Sequence, residues 1–246
     1  MIKLSIVTPT FNSSGTVLRT IESVYNQNYK NFEHIIIDGK SKDNTLDLIK
    51  EYSGYKISYY SEKDDGIYDA MNKGIMKSSG EIVAIINSDD FYADNNVLTD
   101  VINLFDKGAD IVYGGIAYCN KFGQRTFDWI PSEFHYGGYS NGWHTPHPAF
   151  FVRKHLYESK GFFDLNFKIA ADFDLMLRLM EDQSINSVRL PRVLVFMQDD
   201  GASSKLINII RGMSDISNSF NKNNIRFNPV KYFLARYVSK LIRKLM

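Results

Sequence analysis

Ile82-Val83-Ala84-Ile85-Ile86-Asn87-Ser88-Asp89-Asp90 decides how this chain folds. Five apolar residues run into a polar step and two adjacent carboxylates. An apolar run of this length, rich in β-branched side chains, reads as a buried strand. Its end delivers Asp89 and Asp90 to a sheet edge, where open α/β folds bind ligands. Two like charges held there repel unless a cation sits between them and a ligand. Hard oxygen donors suit Mg²⁺ or Mn²⁺, which commonly bridge to phosphates. The run equally fits a plain strand end, with Asp90 or Asp94 capping the next helix.

Outward from this stretch the same rhythm repeats. Leu4 to Val7 reads as a strand closed by Thr8-Pro9-Thr10, and the turn Asn12-Ser13-Ser14-Gly15 precedes a helix. That helix places Val17, Leu18, Ile21, Val24 and Tyr25 on one face. Ile35-Ile36-Ile37 is a second strand, ending at Asp38-Gly39. Asp43 or Asn44 caps a second helix, with Leu46, Ile49 and Tyr52 inward. Ile57 to Tyr60 is a third strand, and Ala70 to Met76 a helix ended by Ser78-Ser79-Gly80. A helix over Val97 to Phe105 and a strand at Ile111-Val112-Tyr113 follow the quoted run. This alternation predicts an α/β fold with a mostly parallel sheet covered on both faces. Beyond Gly114 the periodicity weakens. Trp129 to Thr145 reads as loop, Ala149 to Val152 as a strand and Asp172 to Met180 as a helix.

The composition narrows the classes. With 246 residues, 44% hydrophobic and 23% charged, the chain suits one large α/β domain or two small ones. A net charge of +1 argues against nucleic-acid binding, which needs a pronounced basic surface. The single Cys119 excludes an internal disulfide and a cysteine-based zinc cluster. Met1 to Val7 lacks the apolar core of a signal peptide, and no run reaches the ~20 apolar residues of a spanning helix. A cytoplasmic protein is the expectation.

The chain changes character near Ser214, which divides it into 1–214 and a C-terminal segment 215–246. No Asp or Glu occurs from Ile216 to Met246. From Pro229, the residues Val230, Phe233, Leu234, Tyr237, Val238, Leu241, Ile242 and Leu245 follow helical spacing. Lys231, Arg236, Lys240, Arg243 and Lys244 lie off that stripe. Such a basic amphipathic helix suits an anionic membrane interface. Docking on its own domain or on a second subunit is the other reading.

Polar segments close each predicted strand: Thr8-Pro9-Thr10-Phe11-Asn12, Asp38 to Thr45, Asp64 to Gly74 and Asn87-Ser88-Asp89-Asp90. A parallel sheet brings all four to one edge. Ala170-Ala171-Asp172-Phe173-Asp174-Leu175 opens a late helix. Together, Ser5 to Asn12, Asp38-Gly39-Lys40-Ser41-Lys42-Asp43-Asn44-Thr45 and Asp65-Gly66-Ile67-Tyr68-Asp69-Ala70-Met71-Asn72-Lys73-Gly74 resemble a family 2 glycosyltransferase of GT-A (Rossmann-like) fold. The likeness runs from about Lys3 to about Ser204 and is to enzymes that build bacterial surface polysaccharide.

The resemblance implies an inverting transferase that moves a sugar from a nucleotide-sugar donor to a glycan or polyprenyl-linked acceptor. Thr8, Pro9, Thr10 and Asn12 then flank the donor nucleotide. Asp38 accepts a hydrogen bond from the base, which favours UDP because uracil offers an imide N–H. Asp65, Asn72 and Lys73 lie near the diphosphate and sugar, Lys73 as a point charge. Asn87-Ser88-Asp89-Asp90 matches the family's DXD signature, with Asn87 in place of the first Asp. Asp89 and Asp90 then hold Mg²⁺ or Mn²⁺, with Asn87 and Ser88 beside the donor. Asp172 matches the catalytic base, although Ala171 stands where a Glu is usual. Helix capping is the alternative for Asp172, and Asp174 is the other carboxylate for either task. His147 is a candidate phosphate or metal contact, or a structural loop histidine. Gln198 to Ser204 resembles a loop that folds over the donor. Two rivals stay open: a nucleotidyltransferase, disfavoured by the lone Gly between Thr8 and Gly15, and a non-catalytic nucleotide-sugar binder. A dehydrogenase is disfavoured because no G-x-G-x-x-G follows the first strand.

Overall fold

The strongest apolar runs become the centre of a sheet. In the computed structural model, which describes residues 1–52, 57–120, 124–198 and 206–236, strands β1 (Leu4–Thr10) and β4 (Ile82–Ile85) are buried along their whole length. Around them lie β2 (Phe32–Asp38), β3 (Ile57–Ser61), β5 (Phe91–Tyr92), β6 (Ile111–Cys119), β7 (Arg125–Trp129), β8 (Phe150–Arg153) and β9 (Ser187–Gln198). The helices are α1 (Val17–Tyr25), α2 (Thr45–Glu51), α3 (Ile67–Lys77), α4 (Val97–Phe105), α5 (Lys154–Lys160), α6 (Ala171–Met180) and α7 (Leu206–Lys222). A last helical segment, α8, covers 229–236.

The strand order is β3-β2-β1-β4-β8-β6-β9-β5, with β7 on β6. The first four strands pair in parallel, as the βα rhythm predicts. Beyond β4 the direction alternates. β8 is antiparallel to both β4 and β6, while β9 runs parallel to β6. Hence β6 does not sit beside β4; β8 enters between them from a loop rather than through a helical crossover. Two large apolar clusters fill the faces. One gathers Val7, Ile75, Val83 and the buried face of α6, the other Ile6, Ile82, Ala84 and α4.

Several local differences from the sequence reading have physical causes. Tyr25 ends α1 and is exposed, its ring covered by the Lys30 ammonium, while Thr20 takes an inward position. β6 continues through Gly114 and Gly115, where the periodicity weakens because a Cβ on Gly114 would collide with Leu194 of β9. The glycines admit the neighbouring backbone. α3 starts at Ile67, one turn before the expected Ala70, and runs through Gly74. Gly74 is where the helix touches the sheet, since a Cβ there would collide with Val7.

At the C-terminal side, α7 runs without interruption across residues 214 and 215. α8 docks through Tyr232, which is fully buried, and through Arg236, stacked 5.9 Å from the Phe173 ring. Lys231 Nζ donates to Asn141 Oδ1 at 3.2 Å. Val230 and Leu234 of the predicted stripe face away, 77% and 62% exposed. Phe233 of the same stripe packs against the core beside Tyr232, so the stripe is split between the docked and the exposed side. Residues 237–246, which carry the rest of that stripe, lie outside the described residues. Among the described residues no helix is long and apolar enough to cross a membrane.

Two outcomes follow for stability. Gly74→Ala forces overpacking against Val7 and costs about 1–3 kcal/mol in a urea titration. His34 of β2 is buried, its Nε2 paired with Thr8 Oγ1 of the neighbouring β1 at 2.9 Å, and burial pulls its pKa from 6.5 to about 3. The native state therefore stays unprotonated there while the unfolded chain binds a proton below 6.5. Stability is complete above that value and falls towards pH 3, by up to about 1.4 kcal/mol per unit for this one group. Unfolding curves of wild type and His34→Gln between pH 6.5 and 5 show the difference, the variant giving the shallower dependence.

Candidate active site

Strand pairing dictates where the polar tips meet. Thr10 lies opposite Asp38 in the β1–β2 register, and Gly39 N donates to Thr10 O at 2.9 Å. The loops after these strands are stitched together. Asn12 N donates to Ser41 Oγ, and Lys42 N to Asn12 Oδ1, both at 2.8 Å. Asn12 adopts a left-handed backbone (φ 51°) to make the turn, a conformation its short polar side chain tolerates. One residue on, Ser13 Oγ hydrogen-bonds Ser88 Oγ at 2.8 Å, tying this cradle to the acidic turn.

The acidic turn is desolvated. Asp90 is almost fully buried, and its carboxylate receives the Asn87 amide at 3.0 Å. Burial, and then the neighbouring Asp89 charge, push its proton affinity well above the ordinary carboxylate range. Asp89 is also raised, by burial, against the pull of a backbone N–H and of Arg19. Arg19 of α1 donates to Asp89 O at 3.3 Å and stacks 4.2 Å over Phe91. Thr20 Oγ1 donates to Asp90 O at 2.6 Å. Asp89 is half-buried, whereas the Asp90 carboxylate folds back into its own turn.

Asp172 comes to the same edge from the far side of β4. It lines a cavity of about 10 Å³ with Ile85, His147, Phe150, Tyr157 and Phe163. That is room for about one water molecule. Tyr68, at the start of α3, places its hydroxyl 3.1 Å from Asp172 Oδ1 and 2.7 Å from Ile169 O. His147 is held below its usual pKa by burial, with the Asp172 charge opposing.

Asp174 has a different position. It is wholly buried and accepts from Arg178 Nε at 3.0 Å, Ser219 Oγ at 2.9 Å and Asn223 Nδ2 at 2.9 Å. Lys222 Nζ adds a contact at 3.6 Å. This carboxylate clamps α7 to α6. Asp172, two residues earlier on the helix, opens onto the cavity.

Of the other sequence candidates, Thr8 and Asn72 are turned into the packing, while Pro9, Thr10, Asp38, Asp65 and Lys73 close the ends of β1 and β2 or lie on α3 and the turn before it. Thr8, within β1, is fully buried against His34. Asn72 uses both ends of its amide on the Phe163 main chain, at 2.9 and 3.0 Å, so it joins α3 to the loop before α6 instead of facing a sugar. Lys73 pairs with Asp69 at 3.1 Å and donates to Lys63 O at 2.7 Å. Burial pulls on its proton, and Asp69 more than offsets that pull. Asp38 is buried and already takes Ser61 Oγ at 2.7 Å and the Ser41 N–H and hydroxyl. Pro9 and Thr10 end β1 in buried positions, with Thr10 Oγ1 lacking a partner. Asp65 is exposed at the head of α3, its amide capped by Asp69. Of the expected covering loop Gln198 to Ser204, residues 199–204 lie outside the described residues. Tyr68 and Arg19 were missed as site residues. Tyr68 does leave a signal: it stands one turn before Asn72 in a quoted motif, and both face Phe163.

Among the described residues no three His, Cys, Asp or Glu side chains group closely enough to hold a metal alone. The donor set nonetheless fits a cation shared with a diphosphate. Asp89 supplies one carboxylate, and the buried Asn87 Oδ1 lacks a partner. Mg²⁺ and Mn²⁺ sites of this kind take one or two carboxylates and complete their shell with phosphate oxygen and water.

The geometry agrees with the known relatives. The glycosyl transferase family 2 model matches residues 5–169, and the chain belongs to that family. A curated Mycobacterium tuberculosis protein described as an uncharacterized glycosyltransferase is 33% identical over 71% of this chain and 68% of its own length. The "PGL/p-HBAD biosynthesis glycosyltransferase" of Mycobacterium bovis is 25% identical over 82% of this chain and 79% of its own length. Among solved structures, S. aureus TarS in complex with UDP-GlcNAc superposes with a TM-score of 0.71 at 17% identity, over 96% of this chain and 70% of that one. The mannosyltransferase PcManGT from Pyrobaculum calidifontis, in complex with GDP-Man and Mn²⁺, gives 0.65 at 17%, over 95% and 69%. The fold is that of the GT-A glycosyltransferases, and the chain is a glycosyltransferase.

The two carboxylates of α6 separate in a denaturation experiment. Asp174→Ala leaves the Arg178 guanidinium without its carboxylate and the Ser219 and Asn223 donors without their acceptor, while Lys222 keeps Asp164, and costs about 3–5 kcal/mol. Asp172→Asn stays within about 1 kcal/mol of wild type, since it disturbs a cleft-facing group.

Proposed function

We propose that the protein is an inverting glycosyltransferase that uses a UDP-linked sugar and a glycan or polyprenyl-linked acceptor in bacterial surface-polysaccharide synthesis. The observation that carries this reading is the placement of Asp172. It is a helix-start carboxylate turned into a cavity beside the end of β4, with the acidic turn on the same strand. A base there takes the proton of an acceptor hydroxyl as the oxygen attacks the anomeric carbon. The bond from that carbon to the diphosphate breaks on the opposite side, which inverts the centre. The proton ends on Asp172 and the electron pair on the leaving UDP.

The chain's other groups bind and orient. The cradle of Thr10, Asn12 and the Asp38–Ser41 turn receives the nucleotide, with Asp38 exchanging its Ser41 partners for the uracil imide. Asp89, with Asn87 Oδ1, would hold a Mg²⁺ or Mn²⁺ ion. When bound, that ion stabilises charge on the departing diphosphate. Asp65 and Lys73 stand at the mouth of the same edge. The nucleotide-sugar and Mn²⁺ named for the solved relatives support this donor chemistry. A cytoplasmic protein associated with the inner leaflet through 229–246 suits a lipid-linked acceptor. The exposed Val230 and Leu234 beside Lys231 support that attachment.

A thermal-shift screen of UDP-, GDP- and dTDP-sugars with and without Mn²⁺ tests the donor, because a native-state ligand raises apparent stability. The expected hit is a UDP-sugar whose shift needs Mn²⁺ and disappears in Asp89→Ala. Asp172→Asn keeps the shift and loses about 10²–10⁴-fold in transfer rate, the usual share of a general base. Full transfer by Asp172→Asn would place the base elsewhere. Release of pyrophosphate in place of UDP would favour a nucleotidyltransferase.

A further inference from the structure

Tyr68 meets two acceptors with a single proton. Its hydroxyl is 2.7 Å from Ile169 O and 3.1 Å from Asp172 Oδ1, so it donates to one of them at a time. The ring is fixed independently of the hydroxyl. It stacks on Phe163 at 5.6 Å with planes 23° apart, and Asn72, one turn along α3, brackets the Phe163 main chain. The Ile169 peptide is pinned from its other side as well. Asp215 of α7 accepts from Ile169 N at 2.9 Å and Ala170 N at 3.2 Å. The segment that launches Asp172 is therefore gripped by α3 through a carbonyl and by α7 through two amides.

We propose that Tyr68 is the positioning residue of Asp172, orienting its carboxylate and following its change of charge by turning one O–H bond. This rests on the reading of Asp172 as the base. While Asp172 is ionised, the stronger acceptor is the carboxylate, and the tyrosine proton points at Oδ1. Once Asp172 has taken the acceptor proton, the Tyr68 O–H turns to Ile169 O. Its own oxygen can then receive the new acid proton. No proton is gained or lost by Tyr68, and no heavy atom has to move. Burial and the neighbouring carboxylate both hold the phenol protonated, as the role requires. The other ionisable groups around Asp172 are His147 from the turn before β8, Tyr139 from the long loop, Tyr157 of α5 and Asp215 of α7. Arg236 of α8 lies over the adjacent Phe173.

The deciding measurement is the titration of the Asp172 carboxyl carbon by NMR, assigned by its loss in Asp172→Asn. Tyr68→Phe keeps the stacked ring and removes only the hydroxyl. The expected result is an Asp172 pKa higher by about 1–2 units, the worth of a hydrogen bond to a charged group. The acid limb of kcat/KM for the donor identified by thermal shift moves up with it, and KM for that donor stays unchanged. Should Tyr68→Phe fold poorly, 3-fluorotyrosine at position 68, a more acidic donor, moves both quantities the other way. Coincident Asp172 titrations in wild type and either variant would overturn the proposal. Retained transfer by Asp172→Asn is a separate failure, that of the base assignment itself.

Discussion

A buried strand must pair its amides and carbonyls on both edges, and β4 is where this requirement shapes the molecule. On one side it joins β1 in parallel; on the other it takes β8 in the opposite direction. The first pairing continues the parallel half of the sheet. The second brings in the chain that leads, through α5, to α6. The acidic turn at the end of β4 and the carboxylate at the start of α6 thus share one edge, although about eighty residues separate them in sequence. Neither half alone holds both carboxylates.

The same edge is electrostatically unfinished. Asp89 and Asp90 are pressed together in a desolvated turn, with Arg19 as the nearby cation. Hydrogen bonds from Asn87 and Thr20 hold the turn's shape and do not remove its charge. A divalent ion with a diphosphate would remove it. Asn87 then serves two ends, its amide nitrogen on Asp90 and its carbonyl oxygen turned inward without a partner.

How much of this was legible in the residues varies with the source of the signal. The parallel half was readable because Leu4–Val7, Ile35–Ile37 and Ile82–Ile86 are dense apolar runs with polar closures. β9 was not: Arg189, Pro191 and Arg192 interrupt it, and it is a strand because β6 and β5 supply partners. The direction of β8 was equally hidden, since an apolar tetrapeptide carries no arrow. For the site, residue types singled out acidic pairs at Asp89-Asp90 and Asp172/Asp174, yet could not say which member of a pair is engaged in packing. Asp172 and Asp174 look alike in the sequence; Ser219, Lys222 and Asn223, some 45 residues on, make one of them a clamp. Asn72, Thr8 and Lys73 belong to the same problem. Their motif is informative, but the structure turns them towards Phe163, His34 and Asp69.

At the far end of the parallel strands, away from all this chemistry, Glu33 collects Ser5 Oγ, Ser79 N and Lys3 Nζ, the last at 3.0 Å. Burial alone would raise its pKa, yet these donors outweigh it and hold the carboxyl at about 2. This knot fastens the entry points of β1, β2 and β4 to one another. The sheet is consequently anchored at its back and left free to vary at its front, like a hand bound at the wrist. Loops on the working side can change length or composition without loosening the palm.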